Sequence, residues 1–372
     1  MTTTGQKPFV LHVDDEPDDL RTWATEIAAT GRIDLLVSHP NEVTSAYLQR
    51  ASLVLVDFKM DRWPERDAIE PIGLKPTNGL ALLSVLQEAA NGIDKETPRG
   101  FALFTAAMKT VARGLVPQPH IVARANNLEW VFDKASANST RATTVADLAE
   151  AIHTLPRPWP SDSADTAKSA LEKWLALPGD ATWRSAAWEE IQRCRPPIHE
   201  FAEHTHGIGV LRWALHRILP YPTFLIDDMH LAARFRVDPD SLRSVMESPL
   251  ALENLFAPAR YAGGLGNFAG RRWWRAGIES IVFDLTRNNL ASIQELHAQL
   301  RQRDGSLQVI DAESVFPVIG ENYSVKDQLA KASEVVEVVP DDWPPFADSA
   351  WALRSDVEAD PALKAIAAPF ED

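Results

Sequence analysis

The chain has 372 residues, 45% hydrophobic and 24% charged, which are the proportions of a globular protein with two or three domains and ample core. Its one cysteine, Cys194, excludes an internal disulfide framework and a cysteine-based zinc site. Fifty-two acidic against 37 basic side chains give a net charge of −15, which argues against bulk attraction to nucleic acid or anionic lipid.

No stretch reaches the roughly 18 consecutive apolar residues that a membrane helix needs. The first residues also lack the long apolar core of a secretory signal. We therefore expect a soluble, cytoplasmic protein with no membrane partner, in keeping with the single cysteine.

The first part of the chain alternates between two kinds of apolar pattern. Short runs rich in Val, Leu and Phe predict strands, and longer runs with helical periodicity predict helices between them. Such alternation is typical of a parallel sheet covered by helices on both faces. The predicted strands are 9–13, 53–56, 101–104 and 129–132, and the predicted helices are 18–29, 79–90 and 144–154.

Prolines 156, 158 and 160, followed by small polar residues, indicate a linker, because proline ends a preceding helix. Downstream of it the periodicity predicts mainly helices. The last 68 residues carry 14 acidic and 4 basic side chains and include two short strand-like runs, 307–310 and 335–339. The predicted organisation is a domain at 1–155, a linker at 156–164, a mainly helical output domain at 165–304 and an acidic mixed segment at 305–372.

Polar side chains follow four of the predicted strands. Asp14 and Asp15 follow the first strand, Asp57 the next, Thr105 the third and Lys134 the fourth. In an open parallel sheet these strand ends lie at the edge where ligands bind. Three neighbouring carboxylates repel one another and need a cation, and an all-oxygen site suits Mg²⁺. With an ammonium and a hydroxyl beside it, the group is suited to holding a phosphoryl group on a carboxylate oxygen.

Five segments in this order resemble the receiver domain of two-component response regulators, over residues 7–155. The resemblance implies a flavodoxin-like α/β fold with a five-stranded parallel sheet and a phosphoryl donor that is a histidine kinase or a phosphotransfer protein. The segments are LHVDDEPDDL, LVLVDFKM, NGLALLSVL, FALFTA and EWVFDKA.

The resemblance also implies a role for each site residue. Asp57 would be the phosphoacceptor, and Asp15 a direct Mg²⁺ ligand. Asp14 would act on the metal mainly through water, and the backbone carbonyl of Lys59 would complete the protein's share. Thr105 would be the switch hydroxyl and Lys134 the lysine of the family, so that phosphorylation shifts the face around the fourth and fifth strands.

The sequence departs from the family pattern at three places. Residues 61–77 form an insertion beside the phosphorylation site, which could be a lid, a partner contact or a passive loop. Ala135 follows Lys134 where the family has proline, so a cis peptide is not expected there. Val131 occupies the usual aromatic switch position.

The output region matches no family pattern, and three functions are weighed for it. The first is contact with an unidentified protein partner, favoured by the acidic C-terminal segment with its aromatic residues. The second is DNA reading by a helix-turn-helix-like segment at 230–246, whose outward face offers only one basic residue, Arg243.

The third is an enzymatic output. It would depend on a nucleotide held by Arg271, Arg272 and Arg275 beside two tryptophans, or on a metal held by the histidines between 199 and 230. No Walker A loop, dinucleotide fingerprint or HExxH motif is present. The sequence therefore favours a phosphorylation-responsive signalling protein with an interaction module, and no dedicated enzyme beyond the receiver's own phosphorylation and dephosphorylation.

Overall fold

The computed structural model forms two compact units. One comprises 1–174 with 197–216, and the other comprises 175–196 with 217–372. Residues 156–174, which include the predicted linker, group with the first unit. The described residues are 6–63, 76, 78–94, 97–160, 162–198, 207–247, 251–268, 270–286 and 292–368.

Two features predicted from the sequence fall largely outside the described residues. Of the insertion at 61–77, the structure describes 61–63 and 76. His199, His204 and His206, which carried the metal alternative for the output region, also lie outside the described residues.

The first unit contains one parallel sheet with helices between its strands. The strands are β1 (Phe9–Val13), β2 (Asp34–Ser38), β3 (Ala51–Asp57), β4 (Gly100–Thr105) and β5 (Trp130–Asp133). The helices are α1 (Arg21–Thr30), α2 (Ser45–Arg50), α3 (Gly79–Ile93), α4 (Met108–Ala112), α5 (Pro119–Ala125), α6 (Asn138–His153), α7 (Ala164–Trp174) and, later in the chain, α9 (Ile208–Trp213).

The strand order is β2-β1-β3-β4-β5, with every pairing parallel. This is the flavodoxin-like order, so the predicted fold class is confirmed. Helix α1 packs with α6, and α2 packs with α3. The sheet is therefore covered by helices, as the apolar strands require.

Burial explains which strands the sequence predicts. Strands β1, β3 and β4 are buried along their whole length, and their near-continuous apolar runs predict them. Strand β2 is a partly exposed edge strand, DLLVS, which the apolar pattern missed.

The start of α3 lies against the end of β3. A Cβ added at Gly79 would stand 1.9 Å from the carbonyl oxygen of Asp57, a backbone atom that cannot move aside on its own. Gly79 therefore allows the start of the helix to lie close to the Asp57 backbone. Asn78 caps the helix, because its Oδ1 accepts the Ala81 N–H.

We expect Gly79→Ala to lower the free energy of unfolding by about 1–3 kcal/mol, because the helix or the end of β3 must shift. Gly92, in the same helix, has no atom within 4 Å of an added Cβ. Gly92→Ala should instead raise stability by about 0.5–1 kcal/mol. Urea unfolding followed by circular dichroism checks both, and equal effects of the two changes would contradict the close contact.

The second unit is mainly helical, as predicted, and also contains short antiparallel strand pairs. Its helices are α8 (Arg184–Arg193), α10 (Asp228–Phe235), α11 (Pro239–Glu247), α12 (Ala251–Phe256), α13 (Arg275–Leu285), α14 (Ile293–Arg303), α15 (Arg354–Ala359) and α16 (Pro361–Ala365). Its strands are β6 (Leu225–Ile226), β7 (Trp273–Trp274), β8 (Val315–Ile319), β9 (Val325–Lys331), β10 (Val335–Val338) and β11 (Ala350–Leu353).

The C-terminal strands only partly follow the sequence prediction. The strand at 335–339 is confirmed as β10, which pairs with β11. The strand at 307–310 is wrong, since Val309 makes only an isolated bridge with Val237. Strands β8, β9 and β11 were missed for different reasons: β8 contains Pro317, β9 has three charged residues, and β11 has only four residues.

Helices α10 and α11 pack as the helix-turn-helix pattern predicts. Leu231 and Phe235 of α10 share a buried cluster with Leu242 and Val245 of α11. Arg236 in the turn has a φ of 52°, the left-handed conformation for which glycine is favoured. The sequence therefore predicts this pair of helices correctly.

None of the helices among the described residues combines the length and the apolarity needed to cross a membrane.

Candidate functional site

Three carboxylates meet where β1 and β3 end. Asp14 and Asp15 follow β1 directly, and Asp57 is the last residue of β3. One oxygen from each of the three lies within 4.8 Å of the others, and all three residues are buried. These positions are set by the parallel pairing of β1 with β3, which aligns Val13 with Val56.

Lys134, directly after β5, provides an ammonium to this group. Its Nζ lies 2.7 Å from Asp57 Oδ1. Its backbone N–H donates to the carbonyl of Thr105 at 2.7 Å, which ties the end of β5 to the end of β4. Thr105 is buried, and its Oγ accepts the N–H of Ala107 at 2.9 Å, a bond that does not use the hydroxyl's own proton.

Lys59, whose carbonyl is a predicted metal ligand, lies two residues after Asp57. It forms an isolated antiparallel bridge with Asn78, and the Gly79 N–H donates to the carbonyl of Phe58 at 2.8 Å. The backbone after β3 is thus fixed in place. A metal-binding role for the Lys59 carbonyl stays a prediction.

Two backbone N–H groups contact the carboxylates as well. Glu16 N–H donates to Asp14 Oδ1 at 2.8 Å, and Arg62 N–H donates to Asp15 Oδ2 at 2.7 Å. The Arg62 guanidinium also pairs with the Glu16 side chain. The Arg62 contact was not foreseen, because a backbone donor leaves no trace in the sequence.

Burial destabilises the ionised forms of Asp14 and Asp57. It raises the pKa of Asp14 to about 6, with nearby Asp57 adding to the rise and the Glu16 N–H opposing it. Burial also raises the pKa of Asp57, although the Lys134 ammonium opposes that shift. One ammonium does not offset three neighbouring carboxylates, so the donor set suits a hard divalent cation such as Mg²⁺, which prefers oxygen ligands.

A layer of aromatic side chains lies under the site. His12 is fully buried, and its Nδ1 accepts the Trp23 indole N–H at 3.1 Å. Its ring meets Phe104 edge to face, with centroids 5.0 Å apart. Burial lowers the pKa of His12 to about 3, so the ring is neutral at physiological pH. Sequence reasoning missed His12, although its position two residues before Asp14 places both side chains on one face of β1.

The turn after β5 is formed without a proline. Asp133 Oδ1 accepts the Ala135 N–H at 2.9 Å, and the Asp133 carbonyl accepts the Ser136 N–H at 3.1 Å. Among the described residues the cis peptide bond is at Arg157–Pro158, so the bond after Lys134 is trans. Val131, at the aromatic switch position, is fully buried.

The arginine and tryptophan cluster of the second unit is occupied by contacts within that unit. Arg271 pairs with Asp228 at 3.0 Å, and Arg275 pairs with Asp348 at 2.7 Å. Arg272 donates to the Leu219 carbonyl at 3.1 Å. The two neighbouring tryptophans form β7 and are buried. These contacts join the cluster to other parts of the same unit.

Comparisons with known proteins find little. No family model matches the sequence, and no curated protein matches it. Among solved structures, it is similar to the crystal structure of the response regulator ChrA of a heme-sensing two-component system, at 12% identity over 68% of this chain and 90% of that chain. The TM-score is 0.26, so the fold assignment depends on the strand order and not on this likeness.

The raised pKa of Asp14 predicts a pH-dependent stability. Because the folded pKa of about 6 lies above the ordinary value of 3.8, this carboxyl favours folding at low pH, and the contribution is lost as the pH rises from about 4 through about 6. Without divalent cations, Asp14→Asn should therefore melt above the wild type at pH 7–8. The expected gain is roughly 2–4 °C, the size of about 1 kcal/mol in a unit of this length.

Scanning calorimetry from pH 4 to pH 8 checks this. The gain should be smallest near pH 4, rise through about pH 6 and level off near about pH 7, and Mg²⁺ should stabilise the wild type more than the variant. The exposed Asp19 offers the matched control Asp19→Asn. A gain that does not vary with pH would contradict the burial of an Asp14 charge.

Proposed function

We propose that the chain is a response regulator of phosphorelay signal transduction in which Asp57 accepts a phosphoryl group and thereby controls the C-terminal region. One observation carries the proposal. Asp14, Asp15 and Asp57 present oxygens within 4.8 Å of one another, and the Lys134 ammonium lies 2.7 Å from Asp57. The flavodoxin-like strand order, which places these residues at one sheet edge, supports it.

The donor set fits Mg²⁺, which Asp15, Asp57 and the Lys59 carbonyl would hold directly and Asp14 mainly through water. When bound, the cation would neutralise charge on the carboxylates and on the phosphoryl oxygens. The raised pKa values of Asp14 and Asp57 agree with this fit, because burial removes the water that would stabilise the ionised carboxylates and a bound cation could replace it.

Three side chains of the chain would each have a separate role in phosphoryl transfer. An oxygen of Asp57 bonds to phosphorus while the bond from phosphorus to the donor's leaving atom breaks, and the leaving group takes the electron pair. Lys134, now paired with Asp57, would then pair with a phosphoryl oxygen. The Thr105 hydroxyl would donate a hydrogen bond to another phosphoryl oxygen. The resulting movement of Thr105 would shift the end of β4 and so transmit the signal.

The proposed donor is a histidine kinase or a phosphotransfer protein, and the proposed output is a contact between the C-terminal region and another protein. The surface charges favour protein contact over DNA reading. Arg243, the one basic residue on the outward face of α11, pairs with Asp240 and with Asp327 of β9. Asp240 on α11, the helix that would read the DNA, would also repel phosphates.

The wild-type chain should gain one phosphoryl group from acetyl phosphate with Mg²⁺, as measured by intact-protein mass spectrometry. Asp57→Asn should abolish the gain, because the amide is a poor nucleophile. Asp19→Asn should react like the wild type, since Asp19 is exposed and outside the carboxylate group. Equal labelling of Asp57→Asn and wild type would exclude Asp57 as the acceptor.

A further inference from the structure

Arg141, in the first turn of α6, holds the backbone on which Lys134 is carried. The residue is 8% exposed. Its Nη1 donates to the carbonyl of Lys134 and, at 3.4 Å, to the carbonyl of Asp133. A single guanidinium group therefore binds both peptide groups at the end of β5.

The guanidinium is itself fixed by aromatic rings. Its Cζ lies 5.1 Å from the centre of the Phe104 ring and 5.4 Å from that of Trp23, within the distance of a cation–π contact. The Lys134 ammonium lies 5.2 Å from the same Phe104 ring. Phe104 pairs with Asp57 across β3 and β4, so one aromatic side chain next to the acceptor contacts both cations.

These contacts complete the restraint of Lys134. Its N–H is bound by the Thr105 carbonyl, its ammonium by Asp57, and its carbonyl by Arg141. Without the guanidinium, the peptide after Lys134 could rotate, and the ammonium would sample positions away from Asp57. A long, flexible side chain gains most from such a restraint, because ordering it costs conformational entropy.

We propose that Arg141 is a positioning residue for phosphoryl transfer to Asp57, acting by fixing the Lys134 carbonyl so that the ammonium stays on the acceptor. The inference rests on the proposed function, since it assigns Arg141 a part in the same reaction. Arg141 is not placed in contact with the phosphoryl group, so its effect should pass entirely through Lys134.

A double-mutant cycle on the full chain tests this dependence. Arg141→Met keeps a long apolar side chain against the rings but removes the donors, and Lys134→Met removes the ammonium. In the wild-type background, Arg141→Met should slow phosphorylation of Asp57 by acetyl phosphate with Mg²⁺ roughly tenfold, within the coupling range of residues in contact. In the Lys134→Met background it should slow the reaction by less than about twofold.

Two further variants separate positioning from loss of folding. Arg141→Lys keeps the charge but has a shorter side chain without the planar guanidinium whose Nη1 contacts both carbonyls, and should stay close to Arg141→Met in rate. Arg32→Met removes the ion pairs that Arg32 makes with Asp147 and Glu150. Both acids belong to α6, but they lie later in the helix than Arg141. It should lower the melting temperature without changing the rate.

The outcomes are distinct. If the wild type is not phosphorylated, or Lys134→Met reacts as the wild type does, the proposed function fails. If both behave as expected but Arg141→Met slows the reaction equally in the two backgrounds, or not at all, the positioning role is excluded and the proposed function stands. A rate loss in Arg32→Met that follows its melting temperature would likewise assign the effect to stability.

Discussion

The burial of three neighbouring carboxylates at one edge of the sheet is the energetic cost that the rest of the site must offset. Asp14, Asp15 and Asp57 are brought together by the parallel pairing of β1 with β3, and burial raises the pKa of two of them. The Lys134 ammonium offsets part of the negative charge. The backbone N–H groups of Glu16 and Arg62 stabilise Asp14 and Asp15 further by donating hydrogen bonds to them. A fold that stabilised only itself would place apolar residues here, so the arrangement is compatible with a bound cation.

Much of this architecture could be predicted from the sequence, because buried parallel strands are long apolar runs and each ends at a polar residue. Strands β1, β3, β4 and β5 were found in this way, and the flavodoxin-like class with them. The edge strand β2 is half exposed and lacks such a run. In the second unit the helices have clear periodicity, whereas β8 contains a proline, β9 has three charged residues and β11 is short. Pairing with neighbouring strands, and not composition, decides the conformation of these three.

Only some of the contacts in the candidate site could be predicted from the sequence. Residues at strand ends can be placed together by topology alone, so the sequence predicts the grouping of the three carboxylates with Lys134. Contacts from other elements could not, since they depend on how helices pack. Arg141 reaches the Lys134 carbonyl from α6, and Trp23 reaches His12 from α1. In the second unit, Arg271 and Arg275 suggested a ligand site by composition, but their carboxylate partners are distant in sequence and lie within the unit.

Cation binding at the sheet edge is the central claim, and anomalous diffraction from crystals soaked in Mn²⁺, which shares the oxygen preference of Mg²⁺, tests it most directly. An anomalous peak should appear among the carboxylates of Asp14, Asp15 and Asp57. Strong Mn²⁺ peaks elsewhere on the protein, with none among these three residues, would contradict it.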